Sequence, residues 1–117
     1  MEMLLPITVH HYYDGDNLTR IERSDGSWVK FEYDDKGRCT KDENSEGEVV
    51  IRVYGSFDQP HRIIYNNGIE VVNAHNTKGQ LIMEQVYMDG KLHCTTYHSY
   101  DSKERLYISK TELAEEE

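Results

Sequence analysis

The sequence is poor in the residues that mark several common classes of protein. It holds two cysteines and two prolines in 117 residues, and only 37% of its residues are apolar. Two cysteines, Cys39 and Cys94, do not make a disulfide framework. No stretch approaches the length of a membrane span, and residues 1–8 lack the basic region and the apolar run of a signal peptide. These absences predict a cytoplasmic protein with reduced thiols and no membrane partner.

Basic residues are also scarce, with 13 of them against 22 acidic residues and a net charge of -9. Non-specific binding of nucleic acid needs a basic surface that displaces counterions, so no direct nucleic-acid partner is expected. The charge is compatible with a basic protein partner. The segment 32–48 carries 7 acids and 3 bases, and a surface of this kind could imitate the charge of a nucleic acid.

The sequence is rich in regularly spaced turn signals. Four glycines that each follow an acidic residue or an asparagine lie 21, 21 and 22 residues apart: Gly26, Gly47, Gly68 and Gly90. Such pairs supply the positive φ of a tight hairpin turn. A second series of predicted turns lies between them, at Asn17, Gly37, Asp58 and Gly79. The segments between the turns are five to eight residues long and rich in β-branched and aromatic residues, which favour strands.

This pattern predicts an all-β fold, an antiparallel meander of about four strand-turn-strand repeats that form one twisted, curled sheet of about eight to ten strands. We expect a single β-repeat domain over residues 1–117. Its predicted units are 13–32, 33–53, 54–75 and 76–99, followed by a partial unit 100–110 and an acidic tail 111–117.

The repeat resembles the YD repeats of the RHS family, whose unit reads Tyr-Asp-x-x-Gly-Arg-Leu-Thr before a later Asp-Gly turn. Residues 33–40 match it with Cys39 in place of the leucine, and residues 13–20 match it with Asn17 in place of the glycine and one residue deleted. Residues 100–106 match it with Glu104 in place of the glycine, whereas residues 76–81 keep only the turn. A looser similarity connects the chain to MORN-type antitoxin repeats.

The resemblance implies a scaffold and not a catalyst. In large bacterial toxin systems YD repeats form a spiralling β-sheet that encloses a toxin. An array of about four units is too short to close such a shell, so the role of this array is open. The resemblance covers about residues 12–110 and makes an inhibitor or an immunity protein the most concrete interpretation.

Histidine and cysteine offer an alternative, a small metal-binding or enzymatic protein. His93, Cys94 and His98 are clustered, and period-two alternation places Cys94 and His98 on one face of a strand. Zinc sites usually contain a second pair of ligands at tight spacing, and none is evident. Paired carboxylates such as Asp34 and Asp35 fall in predicted turns. We therefore expect no enzyme activity, no metal and no cofactor.

Exposed aromatic and acidic side chains are the candidate contacts with a protein partner. Trp28 is predicted on the face opposite Val29 and Phe31, where it either covers a second small cluster or is an exposed anchor for a partner, since aromatic residues dominate binding hot spots. The complete candidate set is Trp28, Tyr54, Tyr97, Asp34, Asp35, Asp42 and Glu43. The leading hypothesis is a non-catalytic protein-binding module of the inhibitor or immunity type, including an acidic inhibitor carried by a phage. A self-associating structural module, and hence a homo-oligomer, is the second hypothesis.

Overall fold

The structure is a computed structural model that describes residues 6–115. The expectations for residues 1–5 at the start of the chain, and for Glu116 and Glu117 in the acidic tail, lie outside the described residues. No helix among residues 6–115 is long and apolar enough to cross a membrane.

The described residues form ten strands in one open antiparallel sheet, and the order of the strands in the sheet is their order in the chain. This confirms the predicted all-β meander. The strands are β1 (Val9–Asp14), β2 (Asn17–Arg23), β3 (Trp28–Tyr33), β4 (Cys39–Asn44), β5 (Val49–Tyr54), β6 (Pro60–Tyr65), β7 (Ile69–His75), β8 (Leu81–Met88), β9 (Lys91–Tyr100) and β10 (Leu106–Leu113). The last strand therefore includes residues 111–113, which the sequence placed in the acidic tail.

The chain divides into two compact units. The first ends at Val50, and the second begins at Ile51. The first unit holds β1 to β4 and the start of β5, and the second holds the rest of β5 and β6 to β10. Each unit is described below by itself.

Glycine makes the turns that the sequence predicts. All four glycines of the first series have a positive φ, and so do two positions of the second series, Gly37 and Gly79. At Gly37 the amide donates to the carbonyl of Asp34, and the amide of Asp34 donates to the carbonyl of Arg38. Residues 44–48, 76–80 and 101–105 repeat these two hydrogen bonds. A three-residue hairpin loop that ends in a left-handed residue has this pattern.

Two positions of the second series differ from the glycine turns. Asn17 was expected in a left-handed turn, but it is the first residue of β2, and the positive φ of 60° belongs to Gly15. Asp58 is not among the described residues with positive φ, and it lies in an irregular connection between Tyr54 and Pro60. The error at Asn17 has a clear cause: glycine adopts a left-handed conformation without steric cost, so Gly15 takes that position in place of the asparagine.

The sheet has almost no enclosed interior in the part of the chain that the structure describes. Thr95 is the one buried residue of this part, and it is 7% exposed. No apolar side chain of residues 6–115 is fully buried, and Ile51 in β5 is 40% exposed. A second layer normally covers the apolar face of a sheet. Both faces of this sheet are therefore accessible to another molecule.

Strand register defines the two faces of the first unit. Ile21 lies directly opposite Val29, and cross-strand partners share a face. Phe31 is on this face by period two and lies opposite Asp42. The other face carries Trp28 and charged residues, as the sequence predicts.

A continuous row of apolar side chains crosses the second unit from β6 to β10. Each member lies directly opposite the next on the neighbouring strand, so all of them share one face. We call this set the apolar row: Ile63, Val71, Val86, Cys94 and Leu113. The next row on this face is polar and contains Asn73, Glu84, Thr96 and Thr111.

Candidate protein-binding surface

Two turns with the Tyr-Asp motif have the same internal hydrogen bonds. In the Tyr33 turn (residues 33–38), Asp34 Oδ1 accepts from the amides of Lys36 and Arg38 at 3.0 and 2.9 Å, and Asp34 Oδ2 lies 2.8 Å from Arg38 Nε. In the Tyr100 turn (residues 100–105), Asp101 accepts from Lys103 and Arg105 in the same way. The aspartate of the motif is thus a cap that closes the turn.

Hydrogen bonding lowers the pKa of both capping carboxyl groups. The largest cause for Asp34 is the hydrogen bond from the backbone amide of Arg38, which stabilises the ionised form and holds this pKa below its ordinary value. The backbone amide of Arg105 has the same effect on the pKa of Asp101. Asp34 was predicted as a contact with a partner, but its oxygens already serve the turn.

The tyrosine of the motif binds the preceding repeat. Tyr33 donates a hydrogen bond of 2.6 Å from its hydroxyl group to the carbonyl oxygen of Leu18. Tyr100 donates one of 2.7 Å to the carbonyl oxygen of Leu81. Leu18 and Leu81 both occupy the leucine position of a repeat motif. In both turns, a hydrogen bond thus joins the tyrosine of one repeat to the leucine of the preceding repeat.

Trp28 is half-buried, which agrees with the interpretation as the cover of a small cluster and not with that of an exposed anchor. Lys30 Nζ lies 4.7 Å and Arg20 Cζ lies 5.7 Å from the centre of the indole ring. Both distances are within the range of cation–π contacts. Arg20 also forms an ion pair with Glu22, which lies opposite Trp28 on β2. Two cationic side chains and their apolar stems therefore cover the ring.

The other two aromatic candidates differ in exposure. Tyr54 is half-buried at the end of β5 and not fully exposed. Tyr97 is 43% exposed and lies between Met83 on β8 and Lys110 on β10. It faces away from the apolar row. Of the three aromatic candidates, Tyr97 alone presents a large part of its ring to solvent.

The acidic candidates do not form one surface within the first unit. Asp35 is exposed in the Tyr33 turn, at one end of β3 and β4. Asp42 lies opposite Phe31 on one face of the sheet, whereas Glu43 lies opposite Lys30 on the other. Glu32 forms an ion pair with Lys41. The acidic segment is therefore divided between two faces, and part of its charge is balanced by Lys41 and Arg38.

His98 connects three strands of the second unit. Its Nε2 lies 2.9 Å from Glu84 Oε1 on β8, and its Nδ1 lies 2.8 Å from Ser109 Oγ on β10. Both ring nitrogens are thus engaged by polar side chains. Within residues 6–115, no group of three histidine, cysteine, aspartate or glutamate side chains is arranged to hold a metal ion.

Sequence comparison gives one relationship for part of the chain. No protein-family model matches it. Over 64 residues, 51% of the chain, it is 36% identical to a protein of Dickeya dadantii (strain 3937) named "Probable deoxyribonuclease RhsA". The chain spans 4% of the length of that relative. This similarity supports the predicted relationship to the RHS family over about half of the chain.

Proposed function

We propose that this protein is a non-catalytic β-repeat module that binds another protein across the apolar row of its second unit. The observation that carries the proposal is the absence of a fully buried apolar side chain among residues 6–115. Apolar surface that the chain does not cover itself gains free energy when a partner covers it, about 25 cal/mol per Å².

The shape of the surface supports a protein as the partner. A sheet face with a straight row of apolar side chains beside a row of hydroxyl, amide and carboxylate groups suits an extended contact. The motif residues Asp34 and Asp101 close turns, and Tyr33 and Tyr100 join strands, so the most regular residues of the chain have structural roles.

An inhibitor or immunity-type protein is the specific form that we propose. Support comes from the similarity to an RHS protein that is named a probable deoxyribonuclease, and from the YD-like repeat. The net charge of -9 favours a basic partner through long-range attraction. Binding to such a partner should weaken as salt rises.

Capture from a lysate of the source organism, at low and at high salt, tests this proposal. The variant Val86→Glu places a charge in the middle of the apolar row. Its matched control is Gln85→Glu, which adds the same charge to the neighbouring half-buried residue on the opposite face. We expect one stoichiometric basic protein with the wild type and with Gln85→Glu, and its loss with Val86→Glu at unchanged circular dichroism. Equal capture by both variants would disprove binding through the apolar row.

A further inference from the structure

The last strand of the sheet, β10, has an outer edge that no other part of residues 6–115 pairs with. Three of its apolar side chains are among the most exposed of the molecule: Leu113 is 76% exposed, Tyr107 is 70% exposed and Ile108 is 51% exposed. The strand is eight residues long and contains no proline. An exposed, apolar edge strand of this kind is a template for pairing with another strand.

The hydrogen bonds between β9 and β10 determine which backbone groups point outward. The amide of Ala114 donates to the carbonyl oxygen of His93, so the amide of Ala114 points toward β9. Lateral direction alternates along a strand, and therefore the amides of Glu112 and Lys110 also point toward β9. The N–H and C=O groups of Ser109, Thr111 and Leu113 consequently point away from the sheet.

We propose that β10 pairs antiparallel with β10 of a second copy, around a two-fold axis at Thr111. In two antiparallel strands related by such an axis, the numbers of two residues that lie opposite each other always add up to the same sum. The outward-pointing residues have odd numbers and must face one another, so this sum is even. With the axis at Thr111, Ser109 lies opposite Leu113 of the second copy, and the outward groups of all three residues form hydrogen bonds.

Charge selects this register over its neighbours. With the axis at Thr111, Lys110 lies opposite Glu112 of the second copy, and symmetry produces this pair twice. An axis at Lys110 would place two lysines opposite each other, and an axis at Glu112 would do the same with two glutamates. Opposite charges attract across strands and like charges repel, most strongly in pairs without backbone hydrogen bonds, where side chains are closest.

The side chains of β10 are already arranged for such a contact. Lys110 Nζ lies 3.4 Å from Glu112 Oε1 of the same strand, so both charges are on one face. In the dimer each lysine would lie between two glutamates. On the other face, Leu113 would cover Ser109 of the second copy. This contact is separate from the middle of the apolar row, so it goes beyond the function proposed above.

Sedimentation equilibrium over a range of concentrations tests the proposal with a charge swap. We expect the wild type to be a dimer. Lys110→Glu and Glu112→Lys should each weaken the dimer by about tenfold or more, because each variant turns two attractions into two repulsions. The double variant Lys110→Glu/Glu112→Lys should restore the dimer. A double variant as weak as either single variant would overturn the register.

A proline at the axis provides a second test that leaves β9–β10 pairing intact. Thr111→Pro removes an N–H that points outward, and edge strands tolerate proline at such positions. Thr111→Val is the matched control, because both variants lose the hydroxyl group that lies 2.9 Å from Thr96 Oγ1. We expect dimers of Thr111→Val and monomers of Thr111→Pro, with similar circular dichroism.

Three outcomes overturn the proposal. A wild-type monomer up to about 1 mM means that β10 does not bind a second copy. A mass that grows beyond the dimer with concentration means that β10 pairs with a different edge, such as β1. A dimer of Thr111→Pro equal to that of Thr111→Val means that the contact lies elsewhere. Val86→Glu should remain a dimer, which separates this test from that of the proposed function.

Discussion

The Tyr33 turn and the Tyr100 turn have the same hydrogen bonds but different surroundings. In the first, the Arg38 side chain that pairs with Asp34 is 14% exposed, whereas the equivalent Arg105 side chain in the second is 69% exposed. The left-handed position is Gly37 in the first turn and Glu104, with a φ of 65°, in the second. The motif therefore tolerates a strained residue and an exposed arginine when its aspartate and tyrosine are retained.

The largest change in the free energy of unfolding is expected when the glycine of the Tyr33 turn is replaced by the glutamate of the Tyr100 turn. Gly37→Glu places a side chain at a φ of 79°, where a Cβ atom meets no other atom within 4 Å. The cost is therefore backbone strain without a clash, about 1–2 kcal/mol of unfolding free energy. Urea unfolding measures it. Gly37→Asn is the control and should lose less, because asparagine tolerates this conformation. If Gly37→Glu lowers the free energy of unfolding no more than Gly37→Asn does, this explanation is contradicted.

Removal of the tyrosine hydroxyl groups tests the link between repeats in both turns. Tyr33→Phe and Tyr100→Phe should each lower the unfolding free energy by about 1 kcal/mol, because the carbonyl groups of Leu18 and Leu81 lose a hydrogen bond. Tyr107→Phe, at an exposed position, should change nothing. The link would be refuted for a turn in which the phenylalanine variant is as stable as the wild type.

Replacing the strained glutamate of the Tyr100 turn by glycine should raise the free energy of unfolding by less than Gly37→Glu lowers it. Glu104→Gly relieves the strained φ, but it removes the exposed ion pair with Lys78 and gives the unfolded chain more conformational freedom, so the expected net gain is about 0.5 kcal/mol. Lys78→Ala breaks the same ion pair without changing residue 104, and it should cost only a few tenths of a kcal/mol. A glycine variant less stable than the wild type would mean that the ion pair outweighs the strain.

The loss of folding stability in acid should be similar for the two turns. At neutral pH, removing one of these carboxylates should have the smallest effect of the changes considered. The lowered pKa values of Asp34 and Asp101 stabilise the folded state above the pKa of the unfolded chain, near pH 4, and this stabilisation is lost as the pH falls through the folded pKa. Asp34→Asn keeps the acceptor oxygen, as Asn44 and Asn76 do in their own turns. It should be slightly less stable than the wild type at pH 7, because it lacks the charge, and it should lose less stability between pH 5 and pH 2 in urea unfolding. An unchanged acid profile would exclude this role.

The sequence predicted the fold better than the exposure of the candidate contact residues. Glycine spacing and period-two alternation identified the meander, because local backbone chemistry determines turns and strand faces. The exposure of Trp28 could not be predicted in this way, since it depends on Arg20 from the neighbouring strand. The apolar row was also missed, because its members come from five strands and meet only through register. The motif leucine and the bonded tyrosine are 15 residues apart in one pair and 19 in the other, so no constant spacing in the sequence indicated the hydrogen bonds that join repeats.

A sheet in which only Thr95 is fully buried, among the residues that the structure describes, should have unusual calorimetric behaviour. The heat capacity of unfolding is set by the apolar surface that becomes hydrated, about 12–15 cal/mol/K per residue in ordinary domains. Much of that surface is already hydrated in the native sheet. The heat-capacity change of unfolding should therefore be well below this range. As a result, the free energy of unfolding should depend only weakly on temperature.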